Sequence, residues 1–228
     1  MDRTAGRSVV RALRTGLALV FALAVLNAAA GAQFLFTDQQ SGWTLKPKQV
    51  EVGGAFGSVS VHSDGESDHV WNIYGLNLGV GLVKNVELRV RYGYLDPKFE
   101  TGVSAFSIGP KIGLWKNMVA IIVPIEFLTG KYVETSQTWN IQPGLIASIP
   151  VGKKFELTPS VKALIPLYKD PYGAADTLVA LNLGAGFFVT AEKNLVIRPE
   201  IGFLFDPGQS GSFFQFGIGI SYCTKPKA

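Results

Sequence analysis

The chain contains ten stretches in which apolar residues alternate with small or polar ones: residues 49–59, 70–83, 86–95, 103–115, 118–128, 138–151, 155–167, 177–190, 195–205 and 212–222. Their length is the strongest constraint on the fold. Strands of soluble proteins usually run about 5–6 residues, whereas a tilted strand needs about 9–11 to cross a bilayer. In 70–83, Tyr74, Leu76, Leu78, Val80 and Leu82 share one face, and Gly75, Asn77, Gly79 and Gly81 share the other. In 212–222, Phe214, Phe216, Ile218, Ile220 and Tyr222 oppose Gln215, Gly217, Gly219 and Ser221. Successive side chains of a strand point to opposite faces, so each strand has a greasy face and a small or polar one.

The connections alternate between short and long. Lys84-Asn85, Lys116-Asn117, Gly152-Lys153-Lys154 and Ala191-Glu192-Lys193-Asn194 are short, with Asn and Gly supplied for the positive φ of tight hairpins. The stretches 60–69, 96–102, 129–137, 168–176 and 206–211 are longer. Short turns at one end and long loops at the other characterise outer-membrane barrels, whose turns are periplasmic. A near-repeat, Leu76-Asn77-Leu78-Gly79-Val80-Gly81 against Leu181-Asn182-Leu183-Gly184-Ala185-Gly186, fits a barrel built from hairpins.

The first 32 residues read differently. Arg3, Arg7, Arg11 and Arg14 precede an apolar run over 16–26, and Ala28-Ala29-Ala30-Gly31-Ala32 closes it. That is the layout of a secretory signal peptide, cut after Ala32. The whole chain carries 21 Lys+Arg against 17 Asp+Glu. Without the leader's four arginines and Asp2 the balance falls to 17 against 16, so basicity does not point to nucleic acid. A lone cysteine, Cys223, excludes an internal disulfide framework.

Composition orients the faces. The greasy face is free of charge, while the other carries Gly, Asn, Gln and some charges. A soluble barrel would place a Lys/Glu/Ser/Thr face in water; a membrane barrel places the greasy face in lipid. The lumen then receives Glu51, Glu87, Glu126, Glu156 and Glu200 together with Arg89, Arg91, Lys111, Lys162 and Arg198. Five acids against five bases read as a paired network stiffening the wall, or as the lining of a pore. Pro110, Pro143, Pro159 and Pro199 on the outer face, and Pro124, Pro150 and Pro166 on the inner, lack a donor for the ladder. They call for bulges or local breaks.

Catalytic signals are sparse. Both histidines fall in the first long loop, in the run Val61-His62-Ser63-Asp64-Gly65-Glu66-Ser67-Asp68-His69. His62, Ser63, Asp64 and His69 are residue types that nucleophilic catalysis uses when they are in contact, but the spacing matches no motif, and a solvated loop accounts for it. The sequence offers no cofactor or metal motif.

Three segments resemble a known group: Leu82-Val83-Lys84-Asn85-Val86-Glu87-Leu88-Arg89-Val90, Ile108-Gly109-Pro110-Lys111-Ile112, and Pro124-Ile125-Glu126-Phe127-Leu128-Thr129-Gly130. As a pattern over 50–222, the chain resembles a family of outer-membrane barrels proposed for the meta-cleavage pathway of phenol degradation. The resemblance implies an outer-membrane protein that transports small hydrophobic compounds, and it hands over no catalytic residues. Many barrels end on an aromatic residue; here Tyr222 is followed by six more residues.

The expectation is an all-β, up-and-down antiparallel transmembrane barrel of ten strands, with eight or twelve as alternatives. A signal peptide (1–32) and a periplasmic N-terminal segment (33–48) precede the barrel (49–222), and a periplasmic tail (223–228) follows it. Function reads as non-enzymatic: a narrow porin-like conduit or a closed structural barrel. The alternatives are an outer-membrane enzyme acting on lipid or peptide through its loop residues, and a soluble periplasmic barrel. Expected partners are outer-membrane lipid, including lipopolysaccharide, and the barrel assembly machinery.

Overall fold

The computed structural model describes residues 38–63, 66–97, 102–130, 133, 139–167, 169–170, 173–174, 177–207 and 212–225. The leader over 1–32, Asp64 and residues 226–228 lie outside them. Ten staves form the wall: β1 (Val50–Ser63), β2 (Glu66–Val83), β3 (Val86–Pro97), β4 (Val103–Gly113), β5 in two pieces (Val119–Ile122, Ile125–Gly130), β6 in three (Trp139–Ile141, Gly144–Ala147, Ile149–Val151), β7 (Phe155–Pro166), β8 (Leu178–Phe188), β9 (Leu195–Phe205) and β10 (Ser212–Cys223). Each pairs antiparallel with its sequence neighbour. β1 pairs with β10 from Glu51↔Cys223 to His62↔Ser212, which closes the sheet on itself. A barrel has no free strand edge, and this is what lets strands cross a bilayer.

The four short connections hold the positive-φ residues Asn85, Lys116, Gly152 and Lys193. Two are lysines, where the sequence offers Asn one position later. Burial alternates residue by residue along β10, with Gln215, Gly217 and Ser221 inside and Phe216, Ile218, Ile220 and Tyr222 exposed. Leu76 is 63% exposed and Ile108, Leu183 and Ile220 about half exposed, so an apolar belt surrounds the barrel. Such a continuous greasy exterior belongs in lipid, not in water.

Two expectations need correction, and of the bulges or local breaks expected at the prolines the local breaks are found, at Pro124 and Pro143. The first long loop is shorter than 60–69: β1 and β2 continue as a paired hairpin to Ser63↔Glu66. A register shift between Val59 and Ser60 absorbs the odd residue, so pairing survives beyond the apolar belt. The prolines are accommodated without register-shifting bulges. Pro110, Pro159 and Pro199 sit inside unbroken strands, and the two register shifts fall elsewhere, at Val59/Ser60 and Gly81/Val83. Pro124 and Pro143 interrupt β5 and β6 locally, yet the register is the same on both sides of each break. Residues 223–225 are no free tail. Cys223 ends β10, and Thr224 fastens it to β1: its N–H donates to Val50 O at 2.7 Å, and its Oγ1 accepts from Val50 N at 2.9 Å.

Candidate functional site: a lumen filled by the chain's own N-terminal segment

The inner face has two tiers. Toward the turns it is charged. Toward the loops it is apolar, with Val59, Trp71, Ile73, Leu95, Ala105, Leu128, Leu164, Leu178, Ala180, Leu204 and Phe213 forming one buried cluster. The sequence reading of a uniformly small or polar inner face therefore fails near the loops. There the inward positions, such as Trp71 and Ile73 of β2 and Leu95 of β3, are as greasy as the outward ones.

The charged tier is not filled by wall side chains alone. Residues 38–45, which the sequence reading sets outside the barrel as part of a periplasmic segment, lie within it. A turn at Pro47-Lys48, with Lys48 at φ 64°, folds the chain back from β1, and Lys48 N–H donates to Gly81 O at 2.8 Å. From there the segment runs into the lumen, with Asp38, Gln39, Gln40, Ser41, Thr44 and Leu45 all buried. Glycines of the wall make the room. A Cβ on Gly81 would stand 2.0 Å from Lys46 O, and one on Gly217 would stand 2.5 Å from Gln39 Nε2.

Wall carboxylates hold the segment by its backbone and by two of its side chains. Glu200 accepts the N–H of Asp38 at 2.7 Å and of Gln39 at 2.6 Å. Glu87 accepts the N–H of Leu45 at 2.6 Å. Glu156 accepts from Ser41 Oγ at 2.5 Å, from Trp43 Nε1 at 3.2 Å and from Ser148 Oγ at 3.0 Å. Wall bases complete the grip. Lys111 Nζ donates to Trp43 O at 2.8 Å, Arg198 to Ser41 Oγ at 3.0 Å, and Lys162 pairs with Asp38 at 3.1 Å. A buried peptide N–H must find a partner. A carboxylate is the strongest acceptor available, since a charge-assisted bond is roughly twice a neutral one.

The ten inward charges thus meet two needs, and Glu87, Lys111 and Arg198 serve both the wall and the inserted segment. Glu51, Glu87, Arg89, Lys111 and Arg198 form a wall-to-wall network: Arg89 bridges Glu87 at 2.5 Å and Glu51 at 3.1 Å, Lys111 reaches Glu87 at 3.2 Å, and Arg198 reaches Glu51 at 3.3 Å. Glu156, Lys162 and Glu200 serve the inserted segment. Arg91, half-buried, donates to Asn77 at 3.1 Å. Glu126 accepts from Asn140 at 3.0 Å. Pairing is thus not confined to wall against wall, because several of the charges are there to receive a peptide. Composition counts acids and bases but cannot show that a backbone is among their partners.

A family model described as "Putative MetA-pathway of phenol degradation" matches residues 31–227. The chain belongs to this family. Among solved structures, this phenol-degradation family member is similar to the attachment invasion locus protein Ail of Yersinia pestis (12% identity, 78% of this chain and 99% of that one, TM-score 0.38). It is also similar to the outer membrane protease OmpT of Escherichia coli (13% identity, 81% and 100%, TM-score 0.46) and to the KdgM porin (6% identity, 76% and 98%, TM-score 0.41). No curated protein matches the chain. The fold is that of an outer-membrane β-barrel.

Of the residues singled out for catalysis, His62 and His69 have described side chains, and each meets a different neighbour. His62, the last but one residue of β1, lies on the outer face, its ring edge-on to Phe214 at 6.3 Å between centroids. His69 lies on β2, its Nδ1 3.2 Å from Ser58 Oγ. Ser63 and Asp64 have no described side chain. Among the described residues, no group of three His, Cys, Asp or Glu is placed to hold a metal ion.

Proposed function

We propose that this protein is a non-enzymatic outer-membrane conduit for small apolar molecules, kept closed to ions and water by its own residues 38–45. The reading orients it with turns and both chain ends periplasmic, and with loops outside among lipopolysaccharide. It takes residues 1–32 as the export leader and the assembly machinery as the partner in biogenesis.

One observation carries the reading: the interior is apolar toward the loops and blocked toward the turns by a separate chain segment. Small barrels that only scaffold are usually filled by side chains of their own wall. Here the wall is thinned by glycines, and a peptide occupies the space. The apolar collar offers an oily solute a favourable environment, and closure to ions is assigned to the inserted segment below it. The family's description, which concerns phenol degradation, agrees with an aromatic solute.

Planar-bilayer recording tests the closure. The intact protein is expected to be silent, and a variant lacking residues 33–45 is expected to conduct ions steadily. A deletion variant that folds, judged by heat-modifiable gel mobility, yet stays silent would refute the plug. Uptake of labelled toluene by cells with and without the protein tests the solute class. Equal uptake would refute the conduit.

A further inference from the structure

Three neighbouring staves carry a proline at the same height. Pro110 of β4 stands opposite Val123, Pro124 lies in the break of β5, and Pro143 lies in the break of β6. Each proline carbonyl still receives a bond from the next stave: Val123 N–H to Pro110 O at 3.2 Å, Gln142 N–H to Pro124 O at 2.9 Å, and Ala163 N–H to Pro143 O at 3.0 Å. The returning bond of each pair needs the proline's own N–H, which does not exist. From β4 to β7 the ladder at this height therefore holds one bond where a regular antiparallel pair holds two. Pro159 and Pro199 lie within unbroken strands, Pro159 opposite Leu183 and Pro199 opposite Ile218.

Two hollows flank the wall at this row and just loopward of it. Outside lies an apolar groove of about 410 Å³ lined by Val90, Phe106, Ile108, Ile125, Phe127 and Trp139. Inside, at the top of the charged tier, lies a void of about 20 Å³ bordered by Gly109, Pro110, Ile122 and Pro124, with Arg89, Arg91 and Lys162 of the wall and Asp38 and Gln40 of the inserted segment around it. Ser107 lines both. Just loopward on the inner face, Ala105, Leu128 and Leu164 belong to the apolar tier.

We infer that this proline seam is a lateral exit, through which a small apolar solute that has passed the apolar tier leaves the barrel into the lipid. The inference rests on the conduit reading. An oily molecule descending the lumen meets buried carboxylates, bases and a hydrogen-bonded peptide, none of which it can pair with, and breaking those contacts exposes unsatisfied charge. Sideways, level with Ala105 and Leu128 and above the Arg89, Arg91 and Lys162 side chains, only one layer of wall separates it from the apolar groove, and the proline row just below weakens the pairing of that wall. The segment need not move, so the barrier to ions stays intact while the solute leaves.

A disulfide staple tests this. Ile108 and Ile125 are outward-facing partners across β4 and β5 at the groove, and Phe56 and Ile218 are the equivalent pair across β1 and β10. I108C/I125C and F56C/I218C are each made with Cys223→Ser, and toluene uptake by whole cells is followed before and after reduction. The expected result is uptake at the level of cells lacking the protein when I108C/I125C is oxidised, restored by reductant, with no redox effect in F56C/I218C. Equal uptake in both redox states of I108C/I125C would overturn the lateral exit while leaving the conduit in place. Wild-type uptake no higher than in cells lacking the protein would remove the conduit itself, and the exit with it. Should I108C/I125C fail to fold, Pro124→Ala with Pro143→Ala restores two donors to the ladder. Its uptake is expected to fall, and unchanged uptake would overturn the exit.

Discussion

Replacing Glu200 by Gln isolates what holds the inserted segment. The Glu200 carboxylate receives two adjacent peptide N–H groups at 2.7 and 2.6 Å, one on each oxygen. A glutamine of the same shape keeps one acceptor and turns an NH₂ group toward the other N–H, so donor meets donor. Losing one charge-assisted bond costs about 1.5–3 kcal/mol. Easing the repulsion between Glu200 and the nearby Asp38 carboxylate offsets part of the further weakening of the surviving bond. A net loss of about 1.5–3 kcal/mol raises the displaced population about 10- to 150-fold. The reporter is Gln40→Cys, a buried position in the middle of the segment, made with Cys223→Ser so that the reporter is the single thiol. When displacement is fast relative to labelling, the rate of reaction with an impermeant maleimide follows the displaced population. The rate in Q40C/E200Q should exceed that in Q40C by the same factor, with heat-modifiable mobility unchanged. Equal rates in the two proteins would show that the Glu200 contacts do not hold the segment, and would refute the reasoning.

Three further outcomes follow from the tiers. Arg89→Met breaks a buried bridge between Glu87 and Glu51. It should destabilise the barrel by about 3 kcal/mol, read as a lowered urea midpoint in lipid vesicles. Leu128→Ala in the apolar tier, a fully buried site, should cost about 2–5 kcal/mol in the same assay. Leu76→Lys places a charge on the lipid face at a position 63% exposed. If that position is near the bilayer centre, the substitution should cost about 2–4 kcal/mol on folding into vesicles; an unchanged midpoint would move Leu76 out of the hydrocarbon.

The staves were legible because two independent signals agree on them. Alternation marks the strands, and the short polar connections interrupt it at the places where Asn85, Lys116, Gly152 and Lys193 take positive φ. The inward charges were legible for the same reason: period two places Glu87, Arg89 and Arg91 on one side and Leu88 and Val90 on the other. The inserted segment was not legible. Residues 38–45 have no periodicity, and their burial depends on backbone groups meeting carboxylates far along the chain, such as Glu200 at a separation of 162 residues. The apolar tier was hidden because alternation carries no contrast where both faces are greasy, as around Trp71 and Ile73. The reach of the first hairpin was hidden by its polar composition, which reads as loop until Ser60↔His69 and His62↔Ser67 are seen to pair.

The position of the segment in the chain sets an order of events in assembly. Residues 38–45 precede every stave, yet their anchors are spread around the whole circumference: Glu87 on β3, Glu156 and Lys162 on β7, Glu200 on β9. The anchors on β7 and β9 belong to the late part of the sheet, so the segment cannot bind fully until that part has formed. The charges of the unfinished barrel must stay hydrated until then. Docking is the step that expels this water, and it cannot be complete before β9 is in place. Loop-closure entropy is already spent by that point, because the sheet itself brings the ends together. Full burial of the segment thus requires that β3, β7 and β9 have all arrived in register.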